Sequence, residues 1–103
     1  MNAMPRLETP SLADLFGAAD LTVDAMLDQV KKTDSLEKAD RLLLCPDLPK
    51  TVQKQANAHI RVMQKVQAAA GDGRRLRELL VSREVAQRPG AVQFCRRLIR
   101  EAP

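Results

Sequence analysis

The stretch Gly71-Asp72-Gly73-Arg74-Arg75-Leu76-Arg77 places three guanidinium groups directly after a pair of helix-breaking glycines. Arginines in the first turn of a helix oppose the macrodipole, whose N-terminal end is already positive. Free backbone N–H groups at such a turn, with guanidinium forks beside them, form a seat for an anion. The stretch lacks the Gly-Lys-Ser/Thr ending of a phosphate-binding P-loop, so nucleotide hydrolysis does not follow from it.

Other residue types that carry chemistry are sparse. A general base needs a nucleophile or an orienting carboxylate within hydrogen-bond reach. The single histidine, His59, has only Ala56, Ile60, Met63 and Val66 on its face of the helix, which marks it as a partly buried structural residue. Asp20, Asp24 and Asp28 fall along one side of a helix. A hard cation wants about six or more oxygens from a bent loop, so these three form a solvated acidic face. Cys45 and Cys95 are the only cysteines; with one histidine they cannot assemble a zinc site from Cys and His alone. Each sits at an apolar position, which predicts buried, reduced thiols. No catalytic set, no metal and no cofactor is expected, and the chain is not expected to be an enzyme.

Charge divides the chain. Residues 1–49 carry five Lys or Arg against nine Asp or Glu, a balance of −4, whereas residues 50–103 carry twelve against four, a balance of +8. The C-terminal half is therefore a seat for an anionic partner. Two Phe, no Tyr and no Trp leave no aromatic platform for base stacking, which argues against RRM-like or OB-like modules. Any core must come from Leu, Val, Ala and Met.

The elements that position these residues are helical throughout. Residues 1–10 read as a flexible leader and 11–103 as one all-α domain, a compact bundle of five or six helices of mixed length. Ser11 caps a short helix that ends near Gly17. Thr22 caps a second, with Leu21 and Met26 as a hydrophobic staple. Asp34, with Glu37 in capping-box spacing, opens a third that Pro46 ends. Pro49 falls in the first turn of the fourth. There Val52, Ala56, His59, Met63, Val66 and Ala70 recur at alternating spacings of four and three, a heptad seam. A seam within one bundle is the simpler reading, and pairing with a second copy through Val52–Ala70 is the other. Leu76, Leu79 and Leu80 mark a fifth helix running into Val85 and Ala86. Arg88-Pro89-Gly90 interrupts before a last helix with Val92, Cys95, Leu98 and Ile99 inward.

Residues 82–99 carry part of a helix-turn-helix pattern. Ala86 and Gly90 stand at the spacing of the small residue and the turn glycine, and Ile99 takes an apolar position of the recognition helix. Pro89 and Arg96 occupy packing positions that want apolar side chains. The leading expectation is a non-enzymatic interaction protein (an adaptor, chaperone-like subunit or small regulator) that holds an acidic protein partner. The binding residues would be Lys54, Arg61 and Lys65 on the fourth helix, Arg74, Arg75 and Arg77 after the glycine break, and Arg96, Arg97 and Arg100 on the last helix. The alternative is a DNA-binding regulator that uses 82–99. With no signal-like or membrane-length apolar run, a cytoplasmic location without membrane contact is expected.

Overall fold

A computed structural model describes residues 9–18 and 20–102, so most of the leader expected over 1–10 lies outside the described residues. Within them the chain is all-α. Seven helices follow in order: α1 Leu12–Phe16, α2 Val23–Lys32, α3 Leu36–Leu42, α4 Lys50–Ala68, α5 Gly73–Leu80, α6 Arg83–Ala86 and α7 Pro89–Glu101.

Local chemistry sets most of the ends. The Ser11 hydroxyl accepts the Asp14 N–H at 3.1 Å, and the Asp14 carboxylate accepts the Ser11 N–H at 2.9 Å, a reciprocal capping box. Those bonds from Ser11, backbone first, hold the Asp14 carboxyl below the usual carboxylate range. Gly17 ends α1 at a φ of 80°, a left-handed conformation that costs a glycine nothing. Thr22 caps α2 by accepting the Ala25 N–H. The cap of α3 lies one residue beyond Asp34: Ser35 has the extended backbone of an N-cap and accepts the Lys38 N–H, while Asp34 pairs with the Lys38 ammonium at 3.2 Å. Pro49 is likewise the residue before α4 rather than its first turn.

Two other boundaries depart from the sequence reading. The helix expected to run through Val85 breaks at Val81 and Ser82, where the Ser82 hydroxyl donates to the Leu79 carbonyl at 2.6 Å and Ser82 turns extended. This gives α6 a separate start and raises the count to seven. Pro89 does not interrupt the last helix but begins it, since its missing N–H is one of the groups a first turn leaves unpaired. Gly90, expected in a turn, is therefore inside α7.

The core has two apolar clusters strung along α4. Val52 and Ala56 join Phe16, Met26, Val30, Leu42, Cys45 and Leu48 from the N-terminal half. Val62, Met63 and Val66 join Leu76, Leu79, Val85, Ala91, Phe94 and Cys95 from the C-terminal half. The heptad seam is thus buried by α2, α3 and α7 of the same chain. That leaves no apolar face along Val52–Ala70 for pairing with a second copy. Its last member also differs: Ala70 is exposed beyond the helix end, and Ala69 is buried in its place.

The two halves meet where α2 ends. Gly90 is buried against the backbone there, and a Cβ at this position would overlap the Thr33 carbonyl and the backbone of Lys32. Two opposing effects bear on Gly90→Ala. Helix propensity alone would stabilise by up to about 1 kcal/mol, but the overlap is with backbone, which cannot rotate away. The variant is expected to lose about 3 kcal/mol or more, measured by urea unfolding. Met63, fully buried between α4 and its neighbours, should lose about 2–4 kcal/mol as Met63→Ala. A gain in stability for Gly90→Ala would mean that α2 and α7 do not approach as described.

Candidate functional site

The three groups of basic residues singled out by sequence have different surroundings. On α4, Lys54 and Arg61 stand two turns apart on the exposed side, without an ion pair among the described residues. Lys65, one turn further, reaches across to α6 and pairs with Glu84 at 2.7 Å. With both side chains about half exposed, this pair contributes about 0–1 kcal/mol and leaves Lys65 able to exchange partners.

At the start of α5 the anion seat is already partly filled. Asp72 is the N-cap, and its carboxylate accepts the Arg75 N–H at 3.1 Å. Arg75 pairs with Glu78 at 3.3 Å and Arg74 with the same carboxylate at 3.9 Å. Arg77 folds back toward Gly73, next to Ala102 at the end of α7. The Asp72 carboxylate thus takes one N–H of the helix start, that of Arg75, and one glutamate serves two of its three arginines.

On α7, Arg96 and Arg100 lie one turn apart on the exposed side with Gln93. Arg97 faces inward. Its Nη2 donates to the Asp34 carbonyl at 3.1 Å, and its guanidinium carbon lies 5.3 Å from the Phe94 ring centroid. It joins α7 to the α2–α3 connection, an internal tie that its charge alone did not announce. Leu98 and Ile99 pack on the C-terminal cluster.

Elsewhere the groups with reactive side chains are engaged in structure. His59 is fully buried; its Nε2 lies 2.8 Å from the Thr33 carbonyl and its Nδ1 3.3 Å from Arg88 Nη1. Only the tautomer with hydrogen on Nε2 satisfies both contacts, donating to the carbonyl and accepting from the guanidinium. Burial, foremost, and the nearby Arg88 charge push the imidazole below its ordinary value, against the pull of the Thr33 bond. Cys45 and Cys95 are free and buried, and the Cys95 thiol donates to the Leu76 carbonyl at 3.1 Å. Burial pushes that thiol up, away from the reactive thiolate. Asp28 pairs with Lys32 at 2.8 Å, while Asp20 and Asp24 are exposed.

A cleft of about 360 Å³ opens between α1, α2 and α3, lined by Leu15, Lys32, Lys38, Arg41 and their neighbours. Two of its three cations already hold carboxylates, Lys32 that of Asp28 and Lys38 that of Asp34. The cleft therefore carries little surplus charge. No helix among the described residues is long and apolar enough to cross a membrane.

The pairing at α5 has a measurable consequence. Replacing Arg74 and Arg75 by Gln removes two exposed contacts to Glu78 and relieves the conflict with the helix dipole. Each effect is a few tenths of a kcal/mol and of opposite sign. The double variant is expected to melt within about 2 °C of the parent; a collapse in stability would make these arginines internal struts. Comparison with protein-family models, curated proteins and solved structures returns no match to this chain.

Proposed function

We propose that the chain is a non-enzymatic helical interaction protein whose C-terminal half docks an acidic protein partner. The observation that carries this reading is a set of exposed cations that the fold leaves without carboxylates. Lys50, Lys54, Arg61, Arg77, Arg83, Arg96 and Arg100 are all exposed and outside every ion pair among the described residues. An excess of this kind destabilises a compact chain through self-repulsion and steers an oppositely charged partner toward it.

Two features favour protein over nucleic acid. Val81 is 80% exposed at the corner between α5 and α6, with Arg77 before it and Arg83 after it in the chain. An apolar side chain among cations suits a partner that is acidic and partly apolar, such as an amphipathic helix. Carboxylates also punctuate the basic half: Glu78 lies beside Arg74 and Arg75, and Glu84 beside Lys65. They would repel a phosphate backbone but can be matched by a mixed protein surface.

The second reading, a DNA-binding regulator, draws on one observation: α7 presents Gln93, Arg96 and Arg100 along a single exposed stripe. The supporting helix that such a motif needs is short, since α6 spans only Arg83–Ala86.

The test replaces Lys54, Arg61, Arg96 and Arg100 together by Gln. All four are exposed, so the melting temperature should move by no more than about 2 °C. A partner captured from nuclease-treated lysate by the parent protein should be lost by the variant, with a fall in affinity of about tenfold or more. Undiminished capture by the folded variant overturns the proposal. Capture that vanishes on nuclease treatment, with duplex affinity falling at a log–log salt slope of about −0.9 per phosphate, moves the assignment to DNA.

A further inference from the structure

We infer that the junction of His59, Arg88 and Thr33 is an acid-opened latch: a proton taken up at His59 Nδ1 expels the Arg88 guanidinium and releases the start of α7 from α2 and α4. The geometry leaves the imidazole no spare position. Its Nε2–H is committed to the Thr33 carbonyl at 2.8 Å, and its Nδ1 lone pair accepts from Arg88 Nη1 at 3.3 Å. Arginine has donors only and does not deprotonate. A proton from solvent on Nδ1 therefore turns an acceptor into a second donor and sets two positive charges against each other. The step needs no co-reactant, because a proton from water is all that is transferred.

No neighbouring group offsets the added charge. From the α6–α7 turn, Arg88 is the cation that faces the ring. On α6, Glu84 favours the charged form of Arg88, but its carboxylate is bonded to Lys65 at 2.7 Å. At the end of α2, Thr33 offers its carbonyl; the adjoining Lys32 holds Asp28, and the next carboxylate, Asp34, is held by Lys38 of α3. From α7, Arg97 is directed to the Asp34 carbonyl. No carboxylate bonds to the imidazole among the described residues.

Arg88 is well placed to transmit the change. Its carbonyl accepts the Val92 N–H at 3.0 Å, closing the first turn of α7, and its own N–H donates to Val85 at 3.0 Å. Two residues further on, Gly90 is seated against Thr33. Moving the guanidinium out thus pulls on the segment that holds the two halves in register. The sign is set by a histidine whose folded value is depressed below 6.5. The stabilisation is complete above that pH and is lost as the pH falls through the folded-state value.

Because His59 is the only histidine in the chain, its ring resonances report it without ambiguity. NMR titration of the native protein is expected to give a midpoint below 6.5, with the Arg88 and Val92 amide signals shifting at the same midpoint. His59→Gln keeps one donor and one acceptor at nearly the same separation but cannot take a proton. Between about pH 7.5 and about pH 5, the parent should lose roughly 5 °C more in melting temperature than His59→Gln does. Carboxylate titrations are common to both and cancel. Arg88→Gln, at a half-exposed position, removes the opposing charge and should raise the His59 midpoint. It also keeps the test open should His59→Gln fail to fold. A midpoint at or above 6.5, an unchanged midpoint in Arg88→Gln, or equal acid losses in the parent and a folded His59→Gln would overturn the latch.

Discussion

The fold depends on one backbone carbonyl. Thr33 ends α2, where carbonyl groups have no partners within the helix, and its oxygen lies against the buried His59 and Gly90. An unsatisfied buried carbonyl costs about 1–3 kcal/mol. His59 removes that cost by donating from α4, and because the Thr33 oxygen also abuts α7, only glycine fits at position 90. Three helices from distant parts of the chain are thereby fixed at one point. The Asp34 carbonyl, the next along, is taken by Arg97 of α7, so two successive peptides of the α2–α3 connection are held by side chains from the other half.

This junction lies between the two apolar clusters and joins them. α4 carries Val52 and Ala56 into one cluster and Val62, Met63 and Val66 into the other, with His59 between them. A fully apolar residue at 59 would bury well but would leave the Thr33 carbonyl without a donor. The polar pair is retained where the apolar clusters are interrupted, and it specifies how the halves align. The exposed charge is organised around the same division: Arg88 and Arg97, the cations of the C-terminal half that take internal roles, reach the joint, while Lys54, Arg61, Arg77, Arg83, Arg96 and Arg100 on the outer sides of α4, α5, α6 and α7 are exposed and outside every ion pair among the described residues.

The parts of this fold that depend on neighbours in sequence were legible in the sequence. Ser11 and Thr22 carry their caps in residue type, and the spacing from Val52 to Val66 declares the buried face of α4. The errors fall where two local signals compete. Asp34 and Ser35 are both competent caps, and Ser35 takes the role while Asp34 pairs with Lys38. Arg88-Pro89-Gly90 contains a helix breaker and a helix starter; proline at the first helical position is the signal that could have settled it. Of the candidate site, the exposed positions of Lys54, Arg61, Arg96 and Arg100 follow from helical periodicity. The inward turn of Arg97 and the contact of Arg88 with His59 do not. They join residues 63 and 29 positions apart, and no local pattern encodes them.

Native-state hydrogen exchange tests most directly whether the Thr33–His59–Gly90 joint couples the two halves. If it does, the most protected amides of α2 and of α7 should open with free energies within about 1 kcal/mol of each other and respond in parallel to added denaturant. Opening of α1 to α3 at a free energy several kcal/mol below that of α5 to α7 would show two independently stable halves, and would contradict the joint as the element that holds them together.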